Sequence, residues 1–352
     1  MNLKSDIRDF ILSGAPSDTC FDSLALRVFH HQWRLNEPYR RLVEGRGVDP
    51  ARVSCWQEIP AVSTIAFKRL RFCCGPGRVV FRTSGTTHAG ALRGEHHLTD
   101  TDLYEAALRR QFQAYVLPDG ARLRFISMTP SPAWLPDSSL GFMMADLHAQ
   151  FGSPGSAFYL HPEGLDLQGV REAMAEAERE RQPACVAGVA SAFVQLLDDL
   201  AGRGLRYRLP TGSRIMDTGG FKGRSRNVER ADLLLGYAEH LGVGSRHVVN
   251  EYGMTELGSQ FYDASLLGGD PEVKVAPHWV RTLIIDPESG QPAAPGRPGL
   301  LRHIDLANLD SVVAVETEDL GRAHGDGFIL LGRAAGAEPR GCSLLVREEP
   351  LS

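Results

Sequence analysis

The 352-residue chain is poor in cysteine: it has six, none in a C-x-x-C pair or a Cys/His spacing that would hold zinc. That excludes a disulfide-stapled secreted scaffold and a zinc module. Cys20, Cys55, Cys73, Cys74 and Cys185 are then expected to be free thiols buried as small apolar side chains. No apolar stretch is long enough to span a bilayer. The opening MNLKSDIRDFILSGAP mixes charges into its apolar residues and lacks the uncharged core of a signal peptide. A strong charge of either sign is also missing. Lys and Arg total 38 against 43 Asp and Glu, and a net −5 gives no field to draw in nucleic acid or an anionic membrane. Repeats and low-complexity tracts do not occur. What is present, 43% hydrophobic and 23% charged residues, describes a globular chain, expected to be cytoplasmic.

Periodicity then orders the chain. Asp6 to Leu12 and Cys20 to Leu42 read as helical, broken at Gly14, Pro16 and Pro38. A short run, Val79 to Phe81, leads into Thr83-Ser84-Gly85-Thr86-Thr87, and a helix is expected from Thr99 or Asp100 to Tyr115. Strand-like Arg124 to Met128, Ala184 to Val189, Arg214 to Met216 and His247 to Val249 alternate with helical Leu165 to Gln182, Ser191 to Leu200 and Ser225 to Leu241. Such alternation predicts an α/β fold with a largely parallel sheet, its functional loops at the strand ends. After residue 270 short β-type runs dominate, which predicts residues 1–270 as an α/β core and 271–352 as a small β-rich subdomain and tail.

Five segments carry residue types suited to a nucleotide. Thr83 to Thr87 offers hydroxyls and a glycine that lets backbone N–H groups approach a polyphosphate, although a solvated Ser/Thr turn has the same composition. In Asn250 to Glu256, Thr255 can bond a phosphate oxygen and Glu256 can ligate Mg²⁺. Gly219-Gly220 would let an aromatic base lie flat on backbone. Asp319 is an acceptor for ribose hydroxyls, and Arg333 is a cationic donor.

In type and order, TSGTT, GG, YGMTE, EDLGR and LLGR resemble the adenylate-forming superfamily of acyl-CoA synthetases, adenylation domains and luciferases. Arg93, His96-His97, GGFKGRSR, EYGMTELGSQFY and GFILLGRAAGAEPRGCSL are similar more narrowly to the LuxE-like acyl-protein synthetase family. The resemblance covers Val79 onward. It implies that Thr83, Ser84, Gly85, Thr86 and Thr87 wrap the β,γ-phosphates of ATP. Gly219, Gly220, Tyr252 and Gly253 would frame the base, with Tyr252 stacking on it. Thr255 would touch the α-phosphate, Glu256 would bind magnesium, Asp319 would hold the ribose and Arg333 would act near the ribose. Cys342, ten residues before the end, matches the position at which that family accepts an acyl group as a thioester. Coenzyme A or the phosphopantetheine of an acyl carrier protein is the other candidate acceptor, and an acyl-transfer or reductase partner is implied.

The sequence departs from the superfamily pattern in two places. His88 stands where the loop usually continues with glycine, and no lysine follows, leaving Arg93 as the nearest cation. The resemblance also implies a large-domain fold without the full mobile C-terminal domain and its catalytic lysine. Lys222, Arg224 and Arg340, each beside a matched block, are the candidate replacements. The expected function is therefore activation of a fatty or aryl carboxylic acid as acyl-AMP, followed by transfer to a thiol. A biosynthetic aryl- or acyl-CoA or carrier-protein ligase is the rival enzyme, and a non-catalytic nucleotide-binding protein the rival of another class. His30-His31 and His96-His97 read as surface or capping residues, and Trp134, Phe142, Met143 and Met144 as core packing.

Overall fold

The computed structural model describes residues 2–14, 18–84, 92–219 and 228–334. Three helices open it: α1 (Leu3–Leu12), α2 (Asp18–Leu35) and α3 (Glu37–Gly45). Asn2 caps α1 and Asn36 caps α3, each side chain accepting a backbone N–H of the first turn. Pro38 sits in that first turn, so it starts a helix rather than breaking one. A short strand β1 (Val62–Ser63) is followed by a hairpin of β2 (Val79–Arg82) and β3 (Glu95–Leu98), then α4 (Asp102–Tyr115).

The α/β part comprises β4 (Arg124–Pro130), α5 (Ser139–Phe151), β5 (Ala157–His161), β6 (Gly164–Leu165), α6 (Leu167–Glu180), β7 (Ala184–Val189), α7 (Ala190–Gly202), β8 (Arg214–Thr218), α8 (Arg230–Gly236) and β9 (Val248–Tyr252). It continues through β10 (Phe261–Tyr262) and β11 (Val273–Val275) to β12 (Val280–Ile285), β13 (Gly299–Asp305), β14 (Ala314–His324) and β15 (Gly327–Arg333). Among the described residues, thirteen strands form one sheet in the order β12-β13-β14-β15-β11-β10-β9-β8-β7-β4-β5-β6, with β1 beside β14.

β5, β4, β7, β8 and β9 are mutually parallel, and the remaining pairings in the order are antiparallel. The parallel centre is buried on both faces, which is why β4 and β7 are buried along their whole length. Their alternate residues feed two cores. Phe125, Cys185, Met216 and Val249 pack under α4 and α5. Ile126, Val186, Ile215 and Val248 pack under α6 and α7. A third core joins α1 and α2 to β12, β13 and β14 through Ile7, Phe21, Val28, Trp279, Leu301 and Val315. The β-rich segment after residue 270 enters the sheet through β11, which pairs with β10 on one side and β15 on the other.

Met143 and Met144 are buried, as expected of core packing. Cys185 is buried too, but Cys20 is exposed and Cys55, Cys73 and Cys74 only half-buried, which corrects the expectation of five buried cysteines. Cys20 lies on α2 one position before the buried Phe21, so helical rotation turns it outward.

Candidate active site

The described residues of the predicted site lie at the base of the β2–β3 hairpin, in the turn after β9, in the β14–β15 pair and just after β8. Thr83 and Ser84 directly follow β2, which pairs antiparallel with β3, a return strand that periodicity does not reveal. Thr83 closes the stem. Its N–H donates to the Gly94 carbonyl (2.9 Å) and its hydroxyl accepts the Gly94 N–H (2.8 Å). Arg93 braces the same point, donating to the Thr83 carbonyl (2.6 Å) and to Asp137 (3.0 Å). Its guanidinium is therefore engaged in holding the loop base.

The second element is the turn after β9. Glu256 is buried, and its carbonyl accepts from Asn308 (2.9 Å). The hairpin and this turn meet at Gly94. A Cβ built there would lie 3.1 Å from Thr83 Cγ2 and 3.5 Å from Glu256 Oε1. Behind them His96 Nδ1 donates to the Thr255 carbonyl at 2.7 Å. His96 and His97 are buried on β3, correcting their reading as surface or capping residues: β3 turns them inward, and His97 pairs with Glu95 (2.9 Å).

The third element is the β14–β15 pair. Asp319 lies within β14 and directly opposite Arg333 of β15. The Tyr252 phenol donates to Asp319 Oδ2 (3.0 Å), and Arg333 Nε stands 3.5 Å from Asp319 Oδ1 while Nη2 bonds Glu318 (2.8 Å). The Tyr252 ring packs among Phe261, His303 and Phe328. Two segments distant in sequence, β9 and the β14–β15 pair, are thus joined at Asp319.

Gly219, directly after β8, has φ 80°, and among the described residues no atom lies within 4 Å of where a Cβ would be, which suits close approach of a flat ligand. Beneath it lies a polar layer that sequence reasoning does not identify. Asp217 receives Arg230, Tyr237 and Asn250, and Glu251 receives the Thr218 hydroxyl. Burial pushes the Glu251 carboxyl up to about 7 against the opposing pull of Thr218 and Lys274. A Cβ at Gly253 would collide with Glu251 Oε1, so any larger residue there would have to displace that carboxylate. Gly85, Thr86, Thr87, Gly220, Lys222, Arg224, Arg340 and Cys342 lie outside the described residues.

The family model for acyl-protein synthetase, LuxE, matches residues 2–350. The chain belongs to this family. No curated protein matches the LuxE-family chain. Among solved structures it is similar to an open conformation of 2-hydroxyisobutyryl-CoA ligase in complex with 2-HIB-AMP and CoA. The TM-score is 0.64 at 15% identity, covering 89% of this chain and 74% of that one. The same ligase in a postadenylation state with 2-HIB-AMP gives 0.63 at 14% identity, covering 90% and 68%. ATP-bound MatB from Rhodopseudomonas palustris gives 0.52 at 19% identity, covering 72% of this chain and 47% of that one. At these identities the likeness is one of fold: the LuxE-family chain has the α/β architecture of adenylate-forming CoA ligases.

Proposed function

We propose that the protein is an ATP-dependent ligase that activates a carboxylic acid as acyl-AMP and passes the acyl group to a thiol. The observation that carries this reading is the meeting of Thr83 and Glu256 at Gly94, which supports a common cradle for a triphosphate and its metal. Membership of the acyl-protein synthetase family supports the same chemistry. In the first step a substrate carboxylate oxygen attacks the α-phosphorus of ATP, and the bond to pyrophosphate breaks. Thr255 contacts the α-phosphate, the Thr83–Thr87 loop holds the β,γ-phosphates, and Asp319, with Tyr252 behind it, faces the ribose. These residues act by positioning and by placing donors where charge develops.

Magnesium fits the residues present. It prefers oxygen donors and keeps water and phosphate in its shell, so one buried carboxylate such as Glu256 is an adequate protein contribution. When bound there it would neutralise phosphate charge. In the second step a thiolate attacks the mixed anhydride carbonyl, forming the thioester and releasing AMP. Lys222 and Arg340 are the proposed cations for the first step and Cys342 the proposed acceptor, with coenzyme A or a carrier-protein phosphopantetheine as the other thiols. The family's protein-acylating character favours Cys342.

A panel of fatty, hydroxy and aryl acids, assayed by pyrophosphate release with adenylates identified by mass, tests the first step. Acid-dependent release is expected. Release that ignores every acid would remove the ligase reading. Intact-mass analysis after incubation with ATP and the active acid tests the second step. An acyl adduct that disappears in Cys342→Ala is expected, whereas an unmodified chain with normal transfer to coenzyme A would move the acceptor off the protein.

A further inference from the structure

The adenylation chemistry leaves one buried ring beside the site without a task. His96 sits on β3 opposite Phe81, fully buried, with Phe67 edge-on to its ring at 6.3 Å. A carbonyl oxygen can only accept, so the 2.7 Å contact with Thr255 requires the proton on Nδ1. Nε2 is then a lone-pair acceptor, buried and, among the described residues, without a hydrogen-bond partner. Among the described residues, the titratable group that acts on the ring is His97, on its own strand. Burial, with His97 adding to it, lowers the ring to about 4, so it is neutral at physiological pH. Two residues earlier, just before β3, Gly94 is hydrogen-bonded to Thr83, and a Cβ built there would lie 3.5 Å from Glu256 Oε1. Residues 94–96 therefore bear on Thr83 and on the metal-side turn at once.

We infer that His96 is a positioning residue: its Nδ1–H fixes the Thr255–Glu256 turn relative to Thr83 and so sets the spacing of Thr83 and Glu256, the two described groups turned toward the triphosphate. The inference rests on the adenylation reading and goes beyond it in assigning the spacing to a residue that touches no substrate. It requires a donor at the Nδ1 position and no proton exchange. Asparagine, whose amide nitrogen falls near that position, should serve; leucine should not.

The test uses the full chain as wild type, His96→Asn, His96→Leu and Gly94→Ala. Pyrophosphate release is measured from pH 5.5 to 8.5, with ATP binding followed separately by calorimetry. His96→Leu should raise KM and Kd for ATP on the order of tenfold while the acid KM stays within about twofold. His96→Asn should restore ATP affinity with a pH profile of unchanged shape. Gly94→Ala, which presses a methyl onto Thr83 at 3.1 Å and fills the space before Glu256, should also weaken ATP binding. If His96→Leu does not fold, wild-type affinity in His96→Asn with weakened affinity in Gly94→Ala still supports the inference. Wild-type ATP affinity in a folded His96→Leu would overturn it. So would loss of one pH limb in His96→Asn, which would make the ring a proton carrier. Wild-type protein that releases no pyrophosphate with any acid would instead defeat the ligase reading, and the calorimetric comparison would still judge His96.

Discussion

Glu251 shows how one side chain carries both a structural contact and a pH response. Its carboxyl titrates near 7 in the folded chain, raised by burial above its ordinary value of 4.5. The folded state therefore holds a proton that the unfolded state has already released between those values. Stability contributed by this residue is full below about 4.5 and falls as pH rises through 7. Glu251→Gln, which can still accept from Thr218, should remove that loss. The variant should gain on wild type progressively from pH 5 to 8, by about 2–3 kcal/mol at the upper end, in thermal denaturation followed against pH. A constant offset at every pH would contradict the account. Tyr252 gives a second residue-scale prediction. Tyr252→Phe keeps the ring among Phe261, His303 and Phe328 but removes the 3.0 Å donor to Asp319. ATP should bind about three- to tenfold more weakly, with folding stability changed by about 1 kcal/mol, measured by calorimetry and denaturant melts.

At the scale of elements, the β2–β3 hairpin decides whether the phosphate loop has a fixed base. Arg93 ties Thr83, Arg82 and Asp137 together across its stem. Arg93→Ala should cost about 1–2 kcal/mol of stability and raise KM for ATP more than KM for the acid. Arg93→Lys should recover only part, since an ammonium cannot bridge three acceptors in a fixed fork. The hairpin also marks where sequence reading stops. Runs such as Ala184 to Val189 and Val280 to Ile285 are legible residue by residue, because uninterrupted apolar or β-branched stretches leave little alternative. Glu95-His96-His97-Leu98 is not, because its polar residues owe their burial to partners distant in sequence, Thr255 above all. The link between Asp319 and Tyr252 was hidden for the same reason. Each residue is legible as a candidate, but the register of β14 on β15 that aims Asp319 is a property of the assembled sheet.

Across the whole molecule, the large sheet and the separate β2–β3 hairpin share the candidate site. The ends of the parallel strands β8 and β9 supply Gly219 and the Thr255–Glu256 turn, while the antiparallel β14–β15 pair supplies Asp319 and Arg333. β10 and β11 weld the two halves together, so the predicted contribution of the β-rich segment to nucleotide binding has a rigid route to the core. The central claim is that this site holds Mg·ATP and joins AMP to a carboxylate reversibly. Exchange of labelled pyrophosphate into ATP, driven by the cognate acid, measures that step without reference to the thiol. The account predicts acid-dependent exchange in the wild-type chain and a loss of at least about a hundredfold in Glu256→Gln at unchanged fold. Exchange that persists undiminished in Glu256→Gln would contradict it.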